Sequence, residues 1–171
     1  MLAAYKLGQV GTDWTVVGLG NFFSTDTNDM LWRNLNTGAF QVYDLKNNNV
    51  TGSASLGNVG LNWQIMGFGN FGSFGETDMI LRNSSTAGLQ VYDIRNNQII
   101  NSNPMGTVGL NWQFSGVGNF SSRGTSDMIA KHRASGHPTR GGDGWFYGRR
   151  RCGRQPQFHP PSVPTRYSSR C

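Results

Sequence analysis

Short runs of apolar residues alternate with polar residues along this chain, and glycine- and asparagine-rich segments separate the runs. The run 63–71 is rich in β-forming residues and places Gly67 and Gly69 on one face of a period-2 element. Glycine inside a strand is typical of a close approach by another backbone, as near the axis of radially arranged sheets. The pattern therefore predicts a strand here.

Three further strands are predicted after this run. The segment DMILRN (residues 78–83) is the second, and LQVYDI (89–94) alternates between two faces as the third. A fourth strand over 99–103 is predicted to be short and outermost. Residues 36–38 and 86–88 supply the hairpin turn between the second and third strands, and the paired asparagines at 47–48 and 96–97 tolerate the positive φ of a tight turn.

The stretch 56–94 is repeated along the chain. An earlier copy starts at Leu7 and a later one at Met105, and Trp14, Trp63 and Trp112 recur every 49 residues. Four antiparallel strands in a repeat of about 45–50 residues are typical of a propeller blade. We predict an all-β fold of antiparallel four-stranded blades from an incomplete β-propeller, with two full blades, part of a third and a disordered tail. The predicted limits are the end of a preceding blade (1–6), repeat 1 (7–55), repeat 2 (56–104), partial repeat 3 (105–130) and the basic tail (131–171).

Two recurring sets of residues have expected structural roles. The three tryptophans are predicted to pack between blades, because large aromatic side chains dominate core burial. A tyrosine–aspartate pair recurs at one blade position, as 43–44 and 92–93. A pair repeated in this way is expected to make a structural hydrogen bond rather than to form half of a catalytic dyad.

The pattern GxGNFxxxxxxDMxxRN followed by QVYD resembles the FG-GAP/VCBS repeat family, whose members form integrin-α-like β-propellers. The resemblance covers about residues 5–130. It implies an oxygen-rich calcium loop after the first strand of each blade. It also implies a secreted or cell-surface protein that binds proteins, sugars or matrix.

The expected calcium loops are degenerate in all three copies. The first acidic position holds asparagine in every copy, and only the last carboxylate persists; these positions are Asn21 and Asp29, Asn70 and Asp78, and Asn119 and Asp127. Calcium prefers six to eight oxygen ligands, and Arg123 in the third loop would repel it. We therefore predict no metal and no other cofactor, with calcium as the alternative. The aspartate should instead accept backbone N–H bonds while the asparagine caps the turn.

Charge divides the chain near residue 130. Residues 1–130 hold six Lys/Arg and eight Asp/Glu, whereas residues 131–171 hold nine Lys/Arg and one Asp. Both cysteines and all three histidines also lie in the second part. The amino terminus shows no signal peptide, and no apolar run approaches the roughly 20 residues that span a bilayer. The compartment is therefore not set by this sequence, although the resemblance implies a secreted or surface location.

Three interpretations of the tail remain open. The repeat breaks in mid-strand, which favours a carboxyl end produced by a frameshift. Alternatively, Arg149–Arg151 and Arg154 with the aromatic residues at 145–147 form a nucleic-acid-binding arm. A metal cluster is the third interpretation, although its spacings match no zinc pattern; it would use His132, His137, Cys152, His159 and Cys171.

The function predicted is a non-catalytic binding or adhesion module, a fragment of a secreted or surface repeat protein with a protein or carbohydrate ligand. Uncovered blade faces should favour self-association. The alternative is nucleic-acid binding through the tail. A polysaccharide-acting propeller enzyme is the weakest alternative, because the repeats contain no His or Cys and so no Ser-His-Asp set.

Overall fold

Eleven β-strands make up the regular structure of this computed structural model, which describes residues 4–23, 28–121 and 124–133 and the backbone of 145–148. The described part of the chain contains no helix, and so none that could cross a membrane. All strand pairs are antiparallel. The described residues are therefore all-β, as the alternating pattern predicts.

Two four-stranded sheets follow one another along the chain, each in sequence order. Sheet 1 contains β1 (Trp14–Gly20), β2 (Asn28–Asn34), β3 (Ala39–Lys46) and β4 (Asn49–Asn58). Sheet 2 contains β5 (Trp63–Gly69), β6 (Asp78–Asn83), β7 (Gly88–Arg95) and β8 (Gln98–Thr107). Each sheet is a meander whose neighbours in sequence are neighbours in space.

A third sheet contains β9 (Trp112–Gly118), β10 (Asp127–His132) and β11 (Trp145–Gly148), in the order β11-β10-β9. The backbone of β11 pairs with β10, with Trp145 opposite Lys131. This strand lies within the segment 131–171, for which the sequence analysis predicts disorder. Residues 134–144 and 149–171 lie outside the described residues.

The tight turns adopt the conformations that their residues favour. Asn47 and Asn48, between β3 and β4, have φ of 51° and 60°. Asn96 and Asn97, between β7 and β8, have φ of 49° and 57°. Asparagine tolerates this left-handed region better than most residues, so the predicted positive φ at these turns is confirmed.

The fourth strands are longer than the sequence analysis predicts. β4 and β8 each contain ten residues, rather than the five of 99–103. Two bulges shift the register of β4 against β3, and two shift that of β8 against β7. Pairing continues beyond the second bulge in each strand, to Asn58 in β4 and to Thr107 in β8. Pro104 is accommodated because β8 is an edge strand. The sheets therefore run past the predicted repeat limits at 55 and 104.

Two apolar clusters hold successive sheets together. The first joins sheets 1 and 2 through fully buried residues such as Phe22, Leu31 and Met79. The second joins sheets 2 and 3 through Ile80, Val91 and Met128. The half-buried Trp63 and Trp112 pack against these clusters, which confirms the packing role predicted for them.

The strand glycines accommodate side chains of the next sheet, not another backbone as predicted. A Cβ built on Gly18 would stand 2.5 Å from Cζ of Phe68. A Cβ on Gly67 would stand 2.6 Å from Cγ2 of Val117. Sheets 1 and 2 therefore each receive a side chain from the following sheet in the space left by a missing Cβ.

Candidate functional site

The three degenerate loops are closed by bonds from backbone N–H groups to their aspartates. Oδ2 of Asp78 accepts from Phe71 and Gly72 at 2.7 and 2.6 Å, and Oδ1 accepts from Ile94 at 3.0 Å. Oδ2 of Asp29 accepts from the N–H groups of Phe22 and Phe23 in the same way. In the third loop Asp127 accepts from the N–H of Ser121 at 2.8 Å. These are the local bonds expected of the aspartates.

Burial changes the acidity of two of these carboxyls. Asp29 and Asp78 are almost completely enclosed. Burial raises the pKa of both side chains, because a charge is less stable away from water. The backbone N–H bonds oppose this effect, and the neighbouring Asp44 and Asp93 add to it.

The geometry of these loops suits backbone donors better than a cation. Two N–H groups converge on one oxygen of Asp29 and on one of Asp78, and their positive ends would repel a cation bound at that oxygen. Among the described residues, no three His, Cys, Asp or Glu side chains are grouped to hold a metal ion. The calcium loop implied by the resemblance is therefore a poor fit to these side chains.

The asparagines of the same loops link one sheet to the next. The backbone N–H of Asn21 donates to Oγ1 of Thr77 at 3.0 Å, and its C=O accepts from the N–H of Thr77 at 2.7 Å. Asn70 makes the same two contacts with Ser126, at 2.9 and 2.8 Å. At Asn70 the side-chain oxygen does not make the predicted cap, because Oδ1 is buried without a hydrogen-bond partner.

Two arginines make a connection between sheets that the sequence analysis misses. Nη1 of Arg82 donates to the carbonyl of Trp112 at 2.7 Å, and Nη2 donates to those of Val108, at 2.7 Å, and Gly109. Arg33 makes the equivalent hydrogen bonds in sheet 1, to the carbonyl of Trp63 and to the carbonyls of two residues shortly before it. Burial lowers the pKa of both arginines without neutralising them. Each guanidinium thus ties a sheet to the first strand of its successor.

The recurring Tyr–Asp positions also make structural bonds. Oδ1 of Asp44 accepts from Nδ2 of Asn97 at 2.7 Å, a buried bond between sheets 1 and 2. Oδ2 of Asp93 accepts from Nδ2 of Asn103 at 2.8 Å, within sheet 2. The predicted hydrogen-bonding role of the aspartates is confirmed, but their partners differ between the two copies.

A groove of about 440 Å³ lies between sheets 2 and 3, at the ends where β5 and β9 begin. It is lined by Gln64, Ile65, Met66, Arg82, Leu110, Asn111, Trp112, Gln113, Phe114 and Arg133. No carboxylate is among these lining residues. Gln64, Gln113 and Arg133 are exposed, so they present amide groups and one positive charge to a ligand. The groove therefore gathers polar and aromatic groups in one open depression of the described structure.

Arg133 distinguishes this groove from the corresponding position between sheets 1 and 2. The equivalent residues one and two repeats earlier are Ser84 and Leu35. The sequence contains a signal for this site, namely a basic residue at a position that is uncharged in both earlier copies. Because Arg133 falls within the segment 131–171 that was assigned to the tail, the site was not predicted from the sequence.

Most residues of the two tail hypotheses lie outside the described part of the chain. These include the arginines at 149–151 and 154, both cysteines, His137 and His159. His132 is described, at the end of β10. Its ring lies edge-on to Trp112 with centroids 5.0 Å apart, and Nδ2 of Asn111 contacts its Nε2.

Known proteins do not extend these observations. No family model, no curated protein and no solved structure matches this chain.

Proposed function

We propose that this chain is a non-catalytic binding module made of propeller-type blades, of the kind found in secreted or surface repeat proteins. The groove between sheets 2 and 3 is its ligand site. The ligand is a carbohydrate bearing hydroxyl and carboxylate groups, such as an acidic polysaccharide. The observation that carries the proposal is the lining of this groove, which combines exposed amides and Arg133 with the half-buried ring of Trp112 and no acid.

The chemistry of the lining supports a saccharide. Amide side chains both donate and accept hydrogen bonds, as hydroxyl groups do. Arg133 supplies the planar donor fork that pairs with a carboxylate. The indole of Trp112 offers an apolar body beside these polar groups. A ligand site typically combines a few placed polar groups with aromatic surface in this way.

The use of the buried polar groups supports binding rather than catalysis. Each buried acid among the described residues bonds to backbone or amide groups that hold loops and sheets in place; these are Asp29, Asp44, Glu76, Asp78, Asp93 and Asp127. None of them lines the groove. A general acid or base must reach the substrate, and these carboxylates are occupied elsewhere.

A panel of neutral and acidic polysaccharides, tested by affinity electrophoresis and calorimetry, examines this proposal. We expect an acidic polymer to bind and Arg133→Ala to weaken it by about tenfold, the loss expected for a charge-assisted bond at an accessible site. Arg95→Ala is the matched control, because Arg95 is exposed and its guanidinium lies over Phe74, away from the groove. Equal losses in both variants would disprove the site, and release of reducing ends would disprove the non-catalytic assignment.

A further inference from the structure

The two contacts between sheets use the same parts at equivalent positions. Phe68 of sheet 2 lies over Gly18 of sheet 1, and Val117 of sheet 3 lies over Gly67 of sheet 2. Beside each glycine contact, the loop asparagine of the earlier sheet exchanges two hydrogen bonds with the residue before the aspartate of the later sheet. A sheet therefore has a receiving face, with the open glycine, and an inserting face, with the apolar side chain.

The inserting face of sheet 1 is uncovered in the described structure. Leu19, which is equivalent to Phe68, is 63% exposed. Val10 is 38% exposed, whereas its equivalent Val59 is 8% exposed because it packs in the first apolar cluster. Val16 and Val50 are exposed as well, and their equivalents in sheet 2 pack against that cluster.

The receiving face of sheet 3 is likewise not covered by any of the described residues. No described atom lies within 4 Å of a Cβ built on Gly116, the equivalent of Gly18 and Gly67. Phe120 is 49% exposed, whereas its equivalents Phe22 and Phe71 are 0% and 8% exposed. The apolar parts of the two faces therefore match the contact that the chain already makes twice, although the ring of Phe120 lies 3.2 Å from a Cβ built on Gly118, where Gly20 and Gly69 meet Thr77 and Ser126.

We propose that sheet 3 of one copy of this chain receives sheet 1 of a second copy, head to tail. Leu19 of the second copy enters the space over Gly116, and its exposed Val10, Val16 and Val50 cover Phe120. The contact continues the geometry of the two interfaces within the chain, which is why a second copy fits this face.

The contact between copies is weaker than the contacts within the chain. Ser115 stands in place of Met66 in the receiving face, which removes apolar area. Lys131 stands in place of Arg82, and one ammonium group cannot reproduce the fork that bonds three carbonyls. Association therefore depends on protein concentration. Because the two faces differ, it is heterologous and not a symmetric face-to-face pairing.

Sedimentation velocity from about 1 μM to about 1 mM tests the proposal on the full chain. The wild-type sedimentation coefficient should rise with concentration. Leu19→Asp and Gly116→Val should each weaken association by more than about tenfold, because one places a charge in the contact and the other fills the receiving space. Ile100→Asp is the matched control: Ile100 is exposed and lies in β8 of sheet 2, which contributes neither of the two uncovered faces.

An equimolar mixture of the two defective variants separates this proposal from other modes of association. Leu19→Asp retains an intact receiving face and Gly116→Val retains an intact inserting face, so the mixture should form a one-to-one dimer and nothing larger. Far-ultraviolet circular dichroism and thermal melts of each variant establish that it is folded. The proposal is overturned by a wild type that stays monomeric, by a folded Leu19→Asp variant that associates normally, or by a mixture that stays monomeric. Polysaccharide binding in the groove is scored separately, so either proposal can fail alone.

Discussion

Replacing each of three equivalent glycines by alanine adds one methyl group to a strand. The change tests whether a side chain of the next sheet occupies the space beside the glycine. Gly18, Gly67 and Gly116 occupy the same position in β1, β5 and β9. None of the three has positive φ, so alanine suits each backbone. The three substitutions therefore differ only in what the new methyl group meets.

The expected changes in the free energy of unfolding differ in sign between the three glycines. Replacing glycine by alanine in a strand is favourable by about 0.5–1 kcal/mol, because it reduces the freedom of the unfolded chain. At Gly116 nothing described lies within 4 Å, so this gain should be observed. At Gly67 the methyl group would stand 2.6 Å from Val117, and overpacking of this kind costs about 1–3 kcal/mol. At Gly18 the ring of Phe68 must move, although it already packs edge-on against Phe22 at 6.0 Å between centroids.

Urea unfolding followed by tryptophan fluorescence measures these energies. It should be run at low micromolar protein, where association between copies contributes least. With a slope of about 1–3 kcal/mol per molar urea, a change of 1 kcal/mol moves the midpoint by roughly 0.3–1 M, which is readily resolved. The midpoint should fall for Gly18→Ala and Gly67→Ala and rise for Gly116→Ala.

Equal shifts of the urea midpoint in all three alanine variants would refute the packing of side chains against the strand glycines. A double-mutant cycle sharpens the test at the first contact. Phe68→Leu removes the ring, so Gly18→Ala should cost less in that background than in the wild type, by about 1 kcal/mol or more. Additive effects of the two changes would show that the methyl group and the ring do not meet.

Three substitutions and one added ion test single contacts elsewhere in the sheets. Ala87→Gly should stabilise the chain by about 0.5–1 kcal/mol in a thermal melt, because Ala87 has φ of 60° where the equivalent residue is Gly38; destabilisation would contradict the assigned turn. Arg82→Lys should cost about 1–3 kcal/mol in urea unfolding, since an ammonium cannot satisfy three carbonyls, whereas the exposed control Arg95→Lys should cost almost nothing. Asp78→Asn should cost about 1–3 kcal/mol at neutral pH by leaving an N–H group unpaired. Burial raises the pKa of Asp78 above 3.8 in the folded protein. The contribution of this side chain to the free energy of unfolding therefore falls as the pH rises from about 3.8 through the raised pKa. Asp78→Asn should lack this part of the pH dependence. Millimolar calcium should change the melting temperature little; a ligand at 100 times its Kd stabilises by about 2.7 kcal/mol, so a large shift reversed by EGTA would overturn the assignment of the loops.

The strands and turns were accessible from sequence because their signals are local. Alternation with a period of two residues needs only a few neighbouring positions, and β6 spans the residues predicted for it. The turn asparagines are equally local, since the left-handed conformation favours their short polar side chains. The lengths of the fourth strands were not accessible, because bulges carry their pairing past the apparent end of the pattern.

The connections between sheets were not predictable from composition or spacing. The acceptors for Arg33 and Arg82 are backbone carbonyls 26 to 30 residues downstream, and any residue supplies a carbonyl. The strand glycines did signal a close approach. Whether a backbone or a side chain approaches depends on the next repeat, and Phe68 and Val117 become identifiable as the inserting residues only when the sheets are placed side by side.

Neighbouring sheets, rather than local sequence, decide which strands are buried on both faces. β2, β6 and β10 read NDMLWRN, DMILRN and DMIAKH, and their apolar positions are similar. Every residue of β6 is buried because sheets lie on both sides of it, whereas Met30 and Trp32 of β2 remain partly exposed. The uncovered face of sheet 1 is thus built from the same residue types as a buried one. This apolar face is the one that we propose to pack against sheet 3 of a second copy, because large exposed apolar patches typically mark interaction surfaces.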